Sequence, residues 1–105
     1  MADEAQNVLA ANQKLLDAIA DGDWKTYAEL CDESLTAFEP EALGHLVVGL
    51  PFHQFYFKLG PTKGEHCTTM ASPHVRLMGD VAVVSYVRLN QRMADGSPVT
   101  RPVEE

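Results

Sequence analysis

The chain of 105 residues carries a formal net charge of −7, and 46% of its residues are apolar. A chain of this size can build one modest hydrophobic core, which predicts a single domain over residues 1–105. The acidic balance excludes nucleic acids and anionic membranes as expected partners, because both recruit basic surfaces.

The acidic charge is concentrated in the first part of the chain. Residues 1–41 hold ten acids and two lysines, whereas residues 42–105 hold six bases and five acids. A solvated acidic helix face is the favoured interpretation, since exposed ion pairs contribute little to stability. The alternative is that the acidic part of one copy meets the slightly basic part of another.

The two cysteines, Cys31 and Cys67, are too few for a disulfide framework and predict reduced thiols. Residues 1–13 hold acids where a signal peptide needs bases, and no apolar run reaches the length of a membrane span. We therefore expect a cytoplasmic protein.

Two helices are predicted at the start of the chain. Asp3 and Gly22 are the expected caps of an amphipathic helix of about four turns. Asp23 is placed to cap a second, shorter helix, and Trp24 and Tyr27 belong to the buried side of that helix.

The central stretch changes pattern sharply. Residues 35–38 favour a strand, which Pro40 ends, and residues 41–47 then show apolar side chains at helical spacing. Gly49 and Pro51 break this predicted helix.

A further helix is predicted where aromatic side chains recur three and four residues apart. These side chains are Phe52, Phe55 and Tyr56. Such a broad aromatic face belongs in a hydrophobic core, so we assign Phe55 to the core.

The remainder of the chain has the pattern of β-strands. It predicts a strand over 66–78 with an irregular step at 71–73, a second strand over 81–92 and a third around 99–101. Helices followed by antiparallel hairpins predict an α+β domain with the helices on one face of a curved sheet.

Arg88 is the most informative single charge. The strand alternation places it on one face with Val84 and Tyr86. A guanidinium beside apolar neighbours requires either an ion partner or a wet cavity. The alternative is an arginine that extends into solvent from an outer sheet face.

Searches for catalytic and metal motifs give negative results. The histidines and cysteines lack the spacing of zinc sites, and the sequence has no dinucleotide, phosphate-loop, nucleophile-elbow or kinase catalytic motif. We therefore expect no metal, no cofactor and no nucleotide chemistry.

Two groups of polar residues leave alternatives open. Glu39 and Glu41 flank Pro40 and either form an acid–base pair or, as we favour, cap a helix N-terminus. His53 is best interpreted as a buried, hydrogen-bonded structural histidine. The alternative is that it faces a cavity with Arg88 and binds a small acid.

Two long segments resemble a known family. They are GDWKTYAELCDESLTAFEPEALGHLVVGLPFHQFYF and SPHVRLMGDVAVVSYVRLNQ. Both are similar to the association, or hub, domain of calcium/calmodulin-dependent protein kinase II, and the likeness extends from about Asn12 to Arg101.

The resemblance implies a nuclear transport factor 2-like cone, in which a long N-terminal helix packs on a strongly bent antiparallel sheet around a pocket. It implies ring assembly from dimers and the gathering of kinase subunits. It also implies a pocket for small carboxylates, in which His53 and Arg88 match the family's histidine and strand arginine, and Tyr56 lies nearby.

Two departures from the family shape our expectations. Its members continue past an acidic pair such as Glu104 and Glu105 into two long strands. We therefore expect the cone without its last two strands, with an unpaired edge on the strand over 81–92. No kinase domain precedes Met1, so we expect an isolated hub or a stand-alone relative.

Three functions follow from these observations. The first is a non-catalytic oligomerisation module that forms a closed homo-oligomer, with a vestigial or ligand-binding pocket. The second is a small-molecule enzyme of the isomerase or dehydratase type on the same cone fold, for which the sequence offers His53 and Arg88 but no pocket carboxylate. The third is a small-acid sensor whose ligand changes assembly.

Overall fold

The computed structural model describes residues 3–105. The helices and strands of this part are, in chain order, α1 (Glu4–Asp21), α2 (Trp24–Leu30), β1 (Thr36–Phe38), a 3-10 turn (Pro40–Ala42), β2 (Leu46–Val48), α3 (Pro51–Phe57), β3 (His66–Met78), β4 (Val81–Ala94) and β5 (Ser97–Glu104). Strands β1 and β2 form an antiparallel hairpin, and β3, β4 and β5 form an antiparallel sheet in that order. The predicted α+β class is confirmed.

Helix α1 begins and ends where the sequence predicts. The side chain of Asp3 accepts a hydrogen bond of 2.9 Å from the Ala5 amide. At the other end Gly22 is left-handed, with φ of 69°, and the Asp23 amide donates to the Ala18 carbonyl at 2.8 Å. A β-carbon on Gly22 would also lie 3.1 Å from the backbone nitrogen of Pro61, so this cap requires glycine.

The core lies along α1, which packs against β3 and against α2. Its most buried apolar side chains include Leu16 and Ala18 on α1 and Tyr27 on α2. The Gln13 side chain donates to the Thr68 carbonyl of β3 at 2.8 Å, which fixes α1 along that strand. No helix among residues 3–105 combines the length and hydrophobicity that a bilayer span requires.

The predicted helix over 41–47 is wrong. Only a single 3-10 turn forms, because Leu43 and Gly44 take φ values of 54° and 90° and so cannot continue a right-handed helix. The chain instead returns as β2, in which Val47 pairs with Ala37 and is only 5% exposed. β-Branched residues favour this strand, and the apolar spacing alone did not reveal it.

Helix α3 forms as predicted, but the core assignment of Phe55 is wrong. Phe55 is 58% exposed, and Tyr56 is 38% exposed. Phe57 takes the inward role, with its ring centroid 5.2 Å from that of Trp24 and 4.8 Å from that of Tyr27. A helix of this length can present only one side to the core, so the opposite aromatic side chains remain on the surface.

The long hairpin of the sheet confirms the predicted strands and the irregular step. The register of β3 against β4 shifts between Ala71 and His74, where Ser72 has a φ of 51°. The expected unpaired edge on the second strand is wrong for its latter half, because β5 pairs with β4 from Val87 to Ala94. The resulting sheet carries α1 on one face.

We predict that Leu16→Ala lowers the free energy of unfolding by about 2–5 kcal/mol, because Leu16 is fully packed between α1 and the sheet. Lys14→Ala, on an exposed position of the same helix, serves as the control and should change it by less than about 0.5 kcal/mol. Chemical denaturation measures both. Equal effects would mean that α1 does not pack through Leu16.

Candidate functional site

A cavity of about 220 Å³ lies between α1, the loop before β3 and the inner face of the sheet. Its walls combine apolar side chains of the helix with polar and basic side chains of the strands. The lining residues are Leu16, Ile19, Ala20, Thr62, His66, Cys67, Thr68, Arg88, Asn90, Gln91 and Arg92. This mixture of an apolar wall and converging polar groups is typical of small-ligand sites.

The strand register explains why the polar groups converge. His66 lies opposite Arg92, and Thr68 lies opposite Asn90. Since side chains at alternate positions share one face of a sheet, Arg88, Asn90 and Arg92 line the same inner face of β4. Two guanidinium groups and an imidazole therefore border one cavity.

Arg88 is an inward-facing, paired arginine. Its Nη2 atom lies 2.6 Å from Oε1 of Glu105, and only 17% of its side chain is exposed. The Tyr86 hydroxyl donates to the other carboxylate oxygen of Glu105. Burial raises the pKa of Tyr86, and the neighbouring Glu105 carboxylate raises it further. The guanidinium, phenol and carboxylate thus form one polar group at the end of the sheet.

One polar atom of Arg88 has no partner. Its Nε is buried and makes no hydrogen bond within residues 3–105. A buried N–H without an acceptor is costly, so this atom marks an unmet hydrogen-bond requirement of Arg88 beside the cavity.

His53 occupies a different setting. Its Nε2 atom lies 3.1 Å from Oε1 of Glu39, and its side chain is 12% exposed. The ring packs 5.8 Å from that of Tyr27 and 5.9 Å from that of Phe52. Burial raises the pKa of Tyr27 strongly. This environment agrees with the favoured interpretation of a buried, hydrogen-bonded histidine, and Glu39 binds it instead of capping a helix.

The three predicted pocket residues lie in three surroundings. Arg88 lines the cavity, His53 sits under Tyr27, and Tyr56 contacts the rings of Phe52 and Phe55 near the surface. Within the described part of the chain, no hydrogen bond, ion pair or ring contact joins His53, Tyr56 and Arg88 to one another.

Sequence reasoning missed three polar contributors to this region. Glu105 and Glu39 supply the carboxylates for Arg88 and His53, and His66 contacts Asp21 at 2.9 Å. These partners lie 14 to 45 residues apart along the chain. The pairing of β4 with the end of β5 is the one signal that could have indicated Glu105 as the partner of Arg88. In that register Glu105 lies opposite Tyr86, two residues from Arg88.

The fold and the cavity define a helix-backed antiparallel sheet of the hub type, and comparisons with known proteins agree. The family described as the calcium/calmodulin dependent protein kinase II association domain matches residues 4–105. The chain belongs to this family.

Relatives and solved structures of the same family are similar over almost the whole chain. The rabbit (Oryctolagus cuniculus) calcium/calmodulin-dependent protein kinase type II subunit delta is 44% identical over 95% of this chain, and the Caenorhabditis elegans kinase type II is 46% identical over 97%. This chain covers only 20% and 14% of those two proteins.

Solved hub structures superpose closely. The CaMKII hub homology domain of Chlamydomonas reinhardtii is 56% identical with a TM-score of 0.90, and the alignment covers 97% of this chain and 82% of that one. The association domain of C. elegans CaMKII is 46% identical with a TM-score of 0.87, covering 94% and 78%. These findings support an oligomerisation module and give no support to the cone-fold enzyme alternative.

We predict that Glu105→Gln lowers the free energy of unfolding by about 1–3 kcal/mol, because it removes the charge that faces the half-buried Arg88 guanidinium. Glu104→Gln is the matched control, since Glu104 is the exposed neighbour on the opposite side of β5. Thermal or chemical denaturation near pH 7 compares the two. A loss no larger than that of the control would show that the ion pair contributes nothing.

Proposed function

We propose that this chain is a non-catalytic association module that assembles with copies of itself into a closed ring and gathers kinase-type subunits around that ring. Its membership in the association-domain family carries the proposal. Residues 1–105 act as one such unit. The free thiols of Cys31 and Cys67 support a reducing, cytoplasmic location.

Exposed apolar side chains support self-assembly. On the β1–β2 hairpin, Phe38 pairs with Leu46, and these residues are 76% and 51% exposed, while Val48 on the same face is 66% exposed. We call these three residues the hairpin patch. Contiguous apolar surface of this kind marks an interaction site in a folded protein.

A second apolar surface lies on a different element. Phe55 of α3 is 58% exposed, and Leu59 just beyond the helix is 71% exposed. We call these two residues the α3 patch. Repeated subunits that use two distinct interfaces can close into a ring, so two patches on separate elements suit the proposed assembly.

Charge introduced into either patch should reduce the size of the assembly. Phe38→Glu and Phe55→Glu each place a carboxylate where the interface excludes water, which penalises association without disturbing the core. Native mass spectrometry should then show smaller species than for the parent protein. Lys58→Glu, next to the α3 patch, is the control for charge alone and should keep the parent mass.

An unchanged mass in both patch variants would contradict these assignments of the interfaces. A loss of mass in Lys58→Glu as well would mean that net charge, and not the patches, controls assembly.

We further propose that the cavity beside Arg88 binds a small carboxylate. The guanidinium of Arg88 on the cavity wall supports this, together with the basic side chain of Arg92 on the same wall. The volume of about 220 Å³ suits a ligand no larger than several water molecules, each of which occupies roughly 30 Å³. His53 and Tyr56 do not line this cavity, and their part in ligand binding stays a prediction.

Arg88→Gln should weaken the binding of propionate roughly tenfold or more, which corresponds to the loss of about 1.5–3 kcal/mol from a charge-assisted hydrogen bond. Isothermal titration calorimetry measures this, with native mass spectrometry to confirm that the assembly is intact. Arg76→Gln, on the opposite face of the sheet, is the control. Equal affinities in the two variants would mean that Arg88 does not contact the ligand. The variant His53→Asn tests His53 by the same titration.

A further inference from the structure

His66 connects the end of α1 to the beginning of the sheet. Its Nε2 atom lies 2.9 Å from Oδ1 of Asp21, the last residue of α1. Its Nδ1 atom lies 2.8 Å from the carbonyl oxygen of Gly64, in the loop that leads into β3. Both ring nitrogens therefore face hydrogen-bond acceptors.

This geometry requires two donors on one ring. A neutral imidazole carries a single N–H, so one of its nitrogens would present a lone pair either to the Asp21 carboxylate or to the Gly64 carbonyl. The imidazolium form carries an N–H on each nitrogen and satisfies both acceptors at once. The observed arrangement is the one that a protonated His66 makes.

Two further contacts join the end of α1 to the loop that precedes β3. The Thr62 amide donates to the Ala20 carbonyl at 2.9 Å, and Pro61 packs against Gly22. His66 also lines the cavity between α1 and the sheet, and 21% of its side chain remains exposed. Protons can therefore reach a ring that sits at the edge of the cavity.

We propose that His66 is a proton-operated clasp that fastens the C-terminal end of α1 to the start of β3 at the edge of the cavity. Protonation closes the clasp by supplying the second N–H. Deprotonation opens one of its two contacts and loosens the helix end. This inference is independent of ring assembly and of carboxylate binding.

The charged groups near His66 come from α1, from the loop that precedes β3 and from β4. They are Asp21 at the end of α1, Lys63 and Glu65 in the preceding loop, and Arg88 and Arg92 on β4. The hydrogen bonds to Asp21 and to Gly64 raise the pKa of His66, and they outweigh the burial of the ring, which lowers it.

The direction of the pH dependence follows from this raised pKa. An unperturbed histidine has a pKa of about 6.5, and the folded protein holds protons on His66 above that value. The clasp therefore contributes fully below about pH 6.5. Its contribution is lost as the pH rises through the higher folded-state pKa of His66.

Hydrogen exchange at the imidazole C2 position, followed by mass spectrometry, tests this in an assembly of any size. We expect a pKa for His66 above that of the exposed His74 on the same strand. Asp21→Asn should lower the pKa of His66, whereas Asp80→Asn, at the β3–β4 turn, should leave it unchanged. A pKa of His66 equal to or below that of His74 would overturn the proposal.

Amide hydrogen exchange of the intact protein tests whether deprotonation of His66 loosens the junction between α1 and β3. After correction for intrinsic rates, protection of residues 60–66 should fall several-fold between pH 6 and pH 8.5 in the parent protein. His66→Gln should abolish this dependence, whereas His74→Gln should keep it. The same pH dependence in His66→Gln would contradict the clasp, and the C2 measurement on the parent decides the matter if that variant does not fold.

Discussion

The packing of α1 against β3 is the contact on which the rest of this structure depends. Leu16 is almost fully buried there, and Gln13 reaches the backbone of β3 at Thr68. The helix covers the polar inner face of the sheet and so encloses the cavity. It also places Asp21 within reach of His66. Without this contact, the basic side chains of β4 would lie on an open surface and would not border a partly enclosed site.

The partly buried regions of the fold hold several charged or titratable groups, and carboxylates from remote positions balance them. Glu105 neutralises Arg88, Glu39 contacts His53, and Asp21 holds His66. Each pair joins different elements, so the same contacts that limit the cost of buried charge also tie the elements together. Parts of the outer surface are apolar, since the hairpin patch and the α3 patch expose large apolar side chains. A polar interior and apolar exterior patches suit a module whose purpose is association.

Local signals predicted most of the fold correctly. Capping residues located α1 and α2, and alternation located the long strands, because these features depend on near neighbours in the chain. The failures came where distant contacts decide the structure. Residues 41–47 have helical spacing, but the chain forms only a 3-10 turn there and pairs with β1 through Leu46–Val48. Phe55 has a core-like pattern but faces outward. For the site, alternation placed Arg88 with Tyr86 on one face, whereas the carboxylates of Glu39 and Glu105 depend on tertiary pairings that the sequence does not signal.

The central claim is that this chain is an association module, and absolute mass in solution tests it most directly. Light scattering on a size-exclusion column, repeated over a wide range of protein concentration, measures that mass. We predict one discrete species of many subunits that persists on dilution, since a closed ring satisfies every interface. A monomer or dimer at all concentrations would contradict the account.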